Sequence, residues 1–296
     1  MFITSFEEQN ITYRSCSNLR IHLFIQAILA NQISVEQFKQ QIIPLIKKSR
    51  RFFVDGNNYI AAIIVFKYLE QIIFKANAFK FYDSIQDLPD HVVEGFIKYV
   101  HDQAGLIEAD YLADEKQHKA EVKKAERFLS ESMQQQDQLT IFPICLGIRP
   151  EALSVIRLYD LDLYLSAFLK LIRSRDTELF RSIHSVLWQI KHDPEQGYYV
   201  QLFCIYAGQA QAVTLTDHAR RIGEQWLDIT NGYGAVSFEE HDLKGISVNC
   251  LDDKHIQRAL QVVKTRLNTH AKDHYLRVTR HRRKTFDCQR IGLSLV

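Results

Sequence analysis

The sequence predicts an α+β protein, with a helical N-terminal domain over residues 1–135 and an α+β domain over 136–296 whose sheet is covered by helices. Three observations carry that expectation. Apolar residues recur at helical spacing through the first 130 positions, a Gln-rich boundary falls at 130–138, and short β-rich runs alternate with amphipathic helices beyond it. With 46% apolar and 24% charged residues, the 296-residue chain has enough hydrophobic surface to fold rather than remain disordered. Its 11 Gly and 5 Pro are too few for a turn-dense all-β architecture.

The elements follow in order. Residues 19–30 form a compact apolar helix, and 34–48 follow with Val35, Phe38, Ile42 and Leu45 at helical spacing. Ala62, Phe66, Leu69 and Ile73 make a core-facing stripe, and another helix runs through 91–101. Residues 109–128 carry mixed charges at three- and four-residue spacing, as in a solvated connecting helix. The short apolar run 140–148, with Pro143 and Gly147, reads as an edge or bulged strand. A helix over 161–172 precedes two β-rich segments, 185–190 and 198–206, separated by the turn-rich 192–197; together they predict a β-hairpin. Leu215, Ala219, Ile222 and Trp226 define the next helix, with Thr214 or Thr216 as its N-cap. A strand at 246–248 and a helix carrying Ile256, Ala259, Leu260, Val263 and Leu267 complete the pattern. His218 and Glu224 read as exposed polar residues of their helix, and Cys145 and Cys204 as buried free thiols within strands.

Charge is concentrated at one end. The net charge is only +2, yet residues 261–296 hold nine Lys and Arg against Asp273 and Asp287. Basic side chains neutralise phosphates and release counterions, and an aromatic ring among them can stack on a base. Lys272, Tyr275, Arg277, Arg280, Arg282, Arg283 and Lys284 are therefore the candidate DNA-binding residues.

Other chemistries lack their patterns. No GxxxxGK[ST] or GxGxxG phosphate loop, HExxH, paired-cysteine zinc pattern or GxSxG elbow is present. Five scattered cysteines without a CxxC pair fit a reducing compartment, and no apolar run reaches bilayer-spanning length. The N-terminus shows no basic leader ahead of an apolar stretch. The expectation is a soluble cytoplasmic protein, with no membrane partner and no cofactor.

The segments Trp188-Gln189-Ile190, Gly197-Tyr198-Tyr199-Val200-Gln201-Leu202-Phe203 and Ala207-Gly208 carry a resemblance, with Ile222-Gly223-Glu224-Gln225-Trp226 and Gly232-Tyr233-Gly234 downstream. In order and spacing, this second half of the chain resembles the inovirus-type replication initiators, also called YagK/YfjJ-like. The resemblance implies an antiparallel-sheet domain of the HUH, rolling-circle initiator type. In that family a central strand presents His-hydrophobic-His to a divalent cation, and a helix tyrosine attacks a DNA phosphodiester. Residues i and i+2 of a strand share a face, so two imidazoles there can share one metal.

Here the two histidine positions hold Tyr199 and Gln201, and the nucleophile position holds Asn268. A phenol and a neutral amide are poor substitutes for imidazole ligands, and Asn cannot form the phosphotyrosine bond. The resemblance therefore implies a DNA-binding, initiator-like protein of a prophage or mobile element, catalytically impaired, whose DNA is single-stranded or hairpin. The alternative is an active metal-dependent nickase with displaced ligands. It would use Mg or Mn held by His184 or His192 and attack from Tyr199 or Tyr275. A third reading is a regulatory protein-interaction module, its partner bound through the helical N-terminal half.

Overall fold

The computed structural model describes residues 16–49, 57–76, 85–153, 156, 158–193, 197–208, 212–238, 245–269, 279–280 and 284–291. The protein is α+β, and the chain divides into two compact units, Met1–Glu115 with Asp273–His281 and Lys116–Lys272 with Arg282–Val296. The division lies inside a long helix, whereas the boundary expected near 135 is that helix's C-terminal end. No helix among the described residues is long and apolar enough to cross a membrane.

The first unit holds α1 (Cys16–Leu29), α2 (Val35–Ser49), β1 (Asn57–Asn58), α3 (Ala61–Ala76), α4 (Asp90–Asp102) and the start of α5 (Ala104–Met133). The spacing stripes of the sequence meet in one core, in which Phe24 packs against Phe38 and Phe66, and Phe38 against Phe96. Asp110 caps α3, its carboxylate accepting from the Ala61 N–H at 2.8 Å. Tyr111 Oη sits 2.9 Å from His22 Nδ1 and accepts from Gln26 Nε2 at 3.0 Å; burial holds the His22 imidazole down at about 4. β1 pairs antiparallel with the two-residue strand β7 (Thr279–Arg280).

The second unit is built on one antiparallel sheet. Its strands are β2 (Gln138–Ile148), β3 (Ile183–Asp193), β4 (Gly197–Ala207), β5 (Gly234–Ser237), β6 (Ile246–Asn249) and β8 (Phe286–Arg290). The order is β5-β2-β4-β3-β8, with β6 also on β2. The expected hairpin is β3–β4, in register from Asp193↔Gly197 to Ser185↔Ile205, with a bulge before Ile183↔Tyr206.

The expectation of an edge strand at 140–148 is corrected. β2 is central, flanked by β4 on one side and by β5 and β6 on the other. Pro143 is tolerated because that second side is shared: β5 ends at Ser237 opposite Cys145, and β6 begins at Ile246 opposite Ile141. The missing N–H thus falls at the gap.

Strand alternation sorts the sheet's two faces. On one, Phe142, Ile144, Val186, Trp188, Val200, Leu202 and Cys204 pack beneath α6 (Leu158–Ser174), α7 (Glu178–Arg181) and α8 (Ala212–Ile229). On the other, Ile141, Leu187, Phe203 and Ile205 pack beneath the Val122–Met133 turns of α5 and beneath α9 (Asp253–Asn268). Asp252 caps α9 by accepting from the Lys254 N–H. Helix α8 starts at Ala212, so Thr214 and Thr216 lie inside its first turns and neither is the cap. His218 is buried rather than exposed, since it lies on the face of α8 that meets the sheet, where its ring packs on Tyr206 at 5.2 Å between centroids.

Candidate functional site

The strand positions singled out by the resemblance fall on one face of β4. Tyr199 and Gln201 are two residues apart, both buried, and point to the side covered by α5 and α9. Their cross-strand neighbours make a polar end to an otherwise apolar face. Gln201 lies between Cys145 of β2 and Gln189 of β3, and Tyr199 lies beside Gly147 and opposite Lys191. The Cys145 thiol donates to Gln201 Oε1 at 3.4 Å, while Gln201 Nε2 and Gln189 Oε1 are buried without a hydrogen-bond partner among the described residues.

Lys191 determines the electrostatics of this end. Its ammonium donates to the carbonyl oxygens of Arg266 and, at 3.1 Å, Thr269, where α9 runs out of intrahelical partners for its carbonyls. The negative end of the helix dipole meets a buried positive charge. Burial nevertheless dominates and lowers the Lys191 pKa to about 8, with Cys145 raising it and Arg266 lowering it further. The same contact brings the last turn of α9 over the face that carries Tyr199 and Gln201. There Asn268 Oδ1 sits 2.8 Å from His118 Nε2 of α5. The three positions implied by the resemblance, Tyr199, Gln201 and Asn268, therefore belong to one end of the second unit.

These residues do not fit a divalent cation. The donor set is a phenol, two amides and a thiol; the unpartnered Gln201 Nε2 is a hydrogen-bond donor, and a buried ammonium opposes a second cation nearby. The other histidine candidates lie elsewhere. His184 lies at the far end of β3, where burial and then Arg290 and Arg175 lower its pKa, a positive field that opposes a metal ion. His192 is in the β3 backbone opposite Tyr198, and its side chain is not among those described. Among the described residues no cluster of three or more His, Cys, Asp or Glu could hold a metal ion.

Of the DNA-binding candidates, Lys272, Tyr275, Arg277, Arg282 and Arg283 lie outside the described residues. Arg280 is described through its backbone, which pairs with Asn57. Lys284 is committed within the protein: its ammonium contacts Asp287 at 2.9 Å, and Lys124 of α5 contacts the same carboxylate at 2.6 Å. This bridge ties β8, and with it the end of the basic segment, to α5. Burial pushes the Asp287 carboxyl up, but hydrogen bonds from Lys124, Lys284 and the Cys288 N–H outweigh it and hold the group at about 2.

A carboxylate with a depressed native pKa contributes stability that is present above its unfolded pKa and lost as pH falls through the native one. Asp287→Asn is therefore expected to cost about 1 to 2 kcal/mol at neutral pH, discounted because Lys124 is half-exposed. That deficit should vanish between pH 4 and 2 (~), the window set by the two pKa values. Urea denaturation of both proteins across that range checks it; a deficit unchanged at the acid end contradicts the assignment.

Sequence reasoning missed Lys191 and His118, and named Gln189 and Cys145 without assigning them to the site. A lysine next to a turn-rich segment carries no local sign of burial. Comparisons of the chain find no matching protein-family model, no matching curated protein and no matching solved structure.

Proposed function

We propose that the protein is a DNA-binding, replication-initiator-like protein of a prophage or mobile element that does not cleave DNA. The observation that carries this reading is the convergence of three substituted positions at one end of a six-stranded antiparallel sheet, Tyr199 and Gln201 on the central strand β4 and Asn268 in the last turn of α9. An initiator needs a metal-binding pair and a nucleophile at that location. Here Tyr199, an amide and an asparagine stand at those positions beside a buried ammonium; the Tyr199 phenol is buried in the sheet face, and no imidazole pair accompanies it to hold the metal that would polarise a phosphodiester. The basic C-terminal segment supplies the charge that DNA binding requires.

The test is incubation with single-stranded and hairpin DNA, with and without Mn²⁺, resolved on denaturing and native gels. The expected result is salt-sensitive binding and no covalent adduct. A metal-dependent adduct would establish a working nickase instead. Replacing Arg282, Arg283 and Lys284 together with Ala is expected to weaken binding and to lower the slope of log affinity against log salt. An unchanged slope removes the basic segment from the interface.

A further inference from the structure

The mixed charge of α5 sorts by sign once the helix is seated on the sheet. Residues 116–133 hold five Lys or Arg and three Glu, and the buried stripe Val122, Ala125, Leu129 and Met133 fixes which side faces inward. All three glutamates reach neighbouring elements. Glu121 accepts from Gln189 of β3 at 3.5 Å, Glu126 meets Lys264 of α9 at 3.1 Å, and Glu131 meets Arg290 of β8 at 3.1 Å. Lys124 is likewise held by Asp287. What remains on the outer side is Lys116, Lys123 and Arg127, at i, i+7 and i+11. All three are exposed and have no acidic partner among the described residues.

Helix α9 continues this surface. It lies antiparallel to α5 on the same sheet face, joined to it by the Lys264–Glu126 bridge and by the Asn268–His118 contact at 2.8 Å. From Lys254 to its end it holds no Asp or Glu. Ala259, Val263 and Leu267 face the sheet, which leaves Lys254 and Arg258, one turn apart, on the outside. Their side chains too are exposed and without an acidic partner among the described residues.

Within 116–133 and 253–268 no large apolar or aromatic side chain is exposed. A lipid surface is held by apolar residues inserted among its headgroups, and a single strand by aromatic rings stacked on its bases; this face offers neither. A rigid row of cations instead matches a rigid row of phosphates. From Lys116 to Arg127 the row runs about 16 Å along the helix axis, the rise of about five phosphates on one strand of a duplex.

We propose that the outer face of α5 and α9 binds the phosphate backbone of duplex DNA, as in the stem of a hairpin, through Lys116, Lys123, Arg127, Lys254 and Arg258. This interface rests on the DNA-binding reading and is separate in sequence from the basic C-terminal segment. Its contacts supply affinity and salt dependence and read no base.

The full chain is titrated into a labelled DNA hairpin with a duplex stem, and affinity is read by fluorescence anisotropy at several salt concentrations. Replacing Lys116, Lys123 and Arg127 together with Gln is expected to weaken binding about tenfold or more. The slope of log affinity against log salt should fall by about 2 to 3. The charge-keeping set Lys116→Arg, Lys123→Arg and Arg127→Lys is expected to bind as wild type does, and an unchanged Tm shows that the fold is intact. Lys254→Gln with Arg258→Gln tests the same face from α9, with an expected fall in slope of about 1 to 2. A single strand of the stem sequence is expected to lose less affinity than the hairpin; an equal loss overturns the duplex assignment. Wild-type affinity and slope in both Gln sets overturn the surface, and a weakened Arg282, Arg283 and Lys284 variant then leaves the DNA reading standing without it. No hairpin binding by wild type removes the reading and the surface together. Loss of binding to phosphatidylserine vesicles alone, with hairpin binding unchanged, overturns the surface and assigns the face to a membrane.

Discussion

Replacing Lys191 with methionine is expected to flatten the alkaline limb of the stability curve. In the folded protein the ammonium is buried beside Cys145 of β2, Gln189 of β3 and Tyr199 of β4, under the last turn of α9 with Arg266 and near His118 and Glu121 of α5. Its pKa is lowered from 10.5 to about 8 by that burial. Between those two values the folded state has released a proton that the unfolded chain still holds. Stability therefore rises with pH across the window, by on the order of 3 kcal/mol. Methionine keeps the volume and removes the titration. Near neutral pH the variant loses two hydrogen bonds to α9 carbonyls but also a desolvated charge, so the two proteins should differ by no more than about 2 kcal/mol. Urea unfolding of both proteins at several values between about pH 7 and pH 10 isolates the effect, because other titrating groups cancel in the difference. A difference that does not change with pH would mean that Lys191 is not buried as described.

Trp226→Ala is expected to cost about 3 to 5 kcal/mol, because it empties the largest fully buried side-chain site in the sheet's first layer. The indole meets Phe168 edge-on at 5.8 Å and Tyr164 at 6.5 Å, and its Nε1–H donates to Gly147 O at 2.8 Å. Trp226→Phe keeps most of the packing and removes the donor, with an expected loss of about 1 to 2 kcal/mol. Urea midpoints with an unchanged m-value measure both losses. A loss below about 1 kcal/mol for the alanine variant would contradict the packing. Gly147 also lies beside Tyr199, so a loosened Trp226 is expected to reach the polar end of the sheet through β2.

The helical stripes were legible because a repeat of three to four residues is a local property. Leu215, Ala219, Ile222 and Trp226 could be assigned to one face of a helix without knowing what lay opposite. The β3–β4 hairpin was legible for the same reason, with two β-rich runs joined by a turn-rich connection. β5 and β8 were not read. Phe286–Arg290 is polar by composition, and becomes a strand through pairing with β3 and through Asp287 being satisfied by Lys124 and Lys284. β2 was misplaced at the edge because Pro143 cannot donate to a ladder; a proline does not reveal that two partner strands leave a gap beside it.

The candidate sites divide in the same way. Strand alternation put Tyr199 and Gln201 on one side of a strand, and only the resemblance singled the two out. Neither could bring Asn268 over that side, since this depends on Lys191 meeting the carbonyls at the end of α9, a contact across more than seventy residues of sequence. Periodicity and composition act over one or two turns of chain, and so they settle which elements form and which face each one buries. Burial of a charge and the partner of a thiol are sums over neighbours remote in sequence, and only the folded packing of strand against helix decides them.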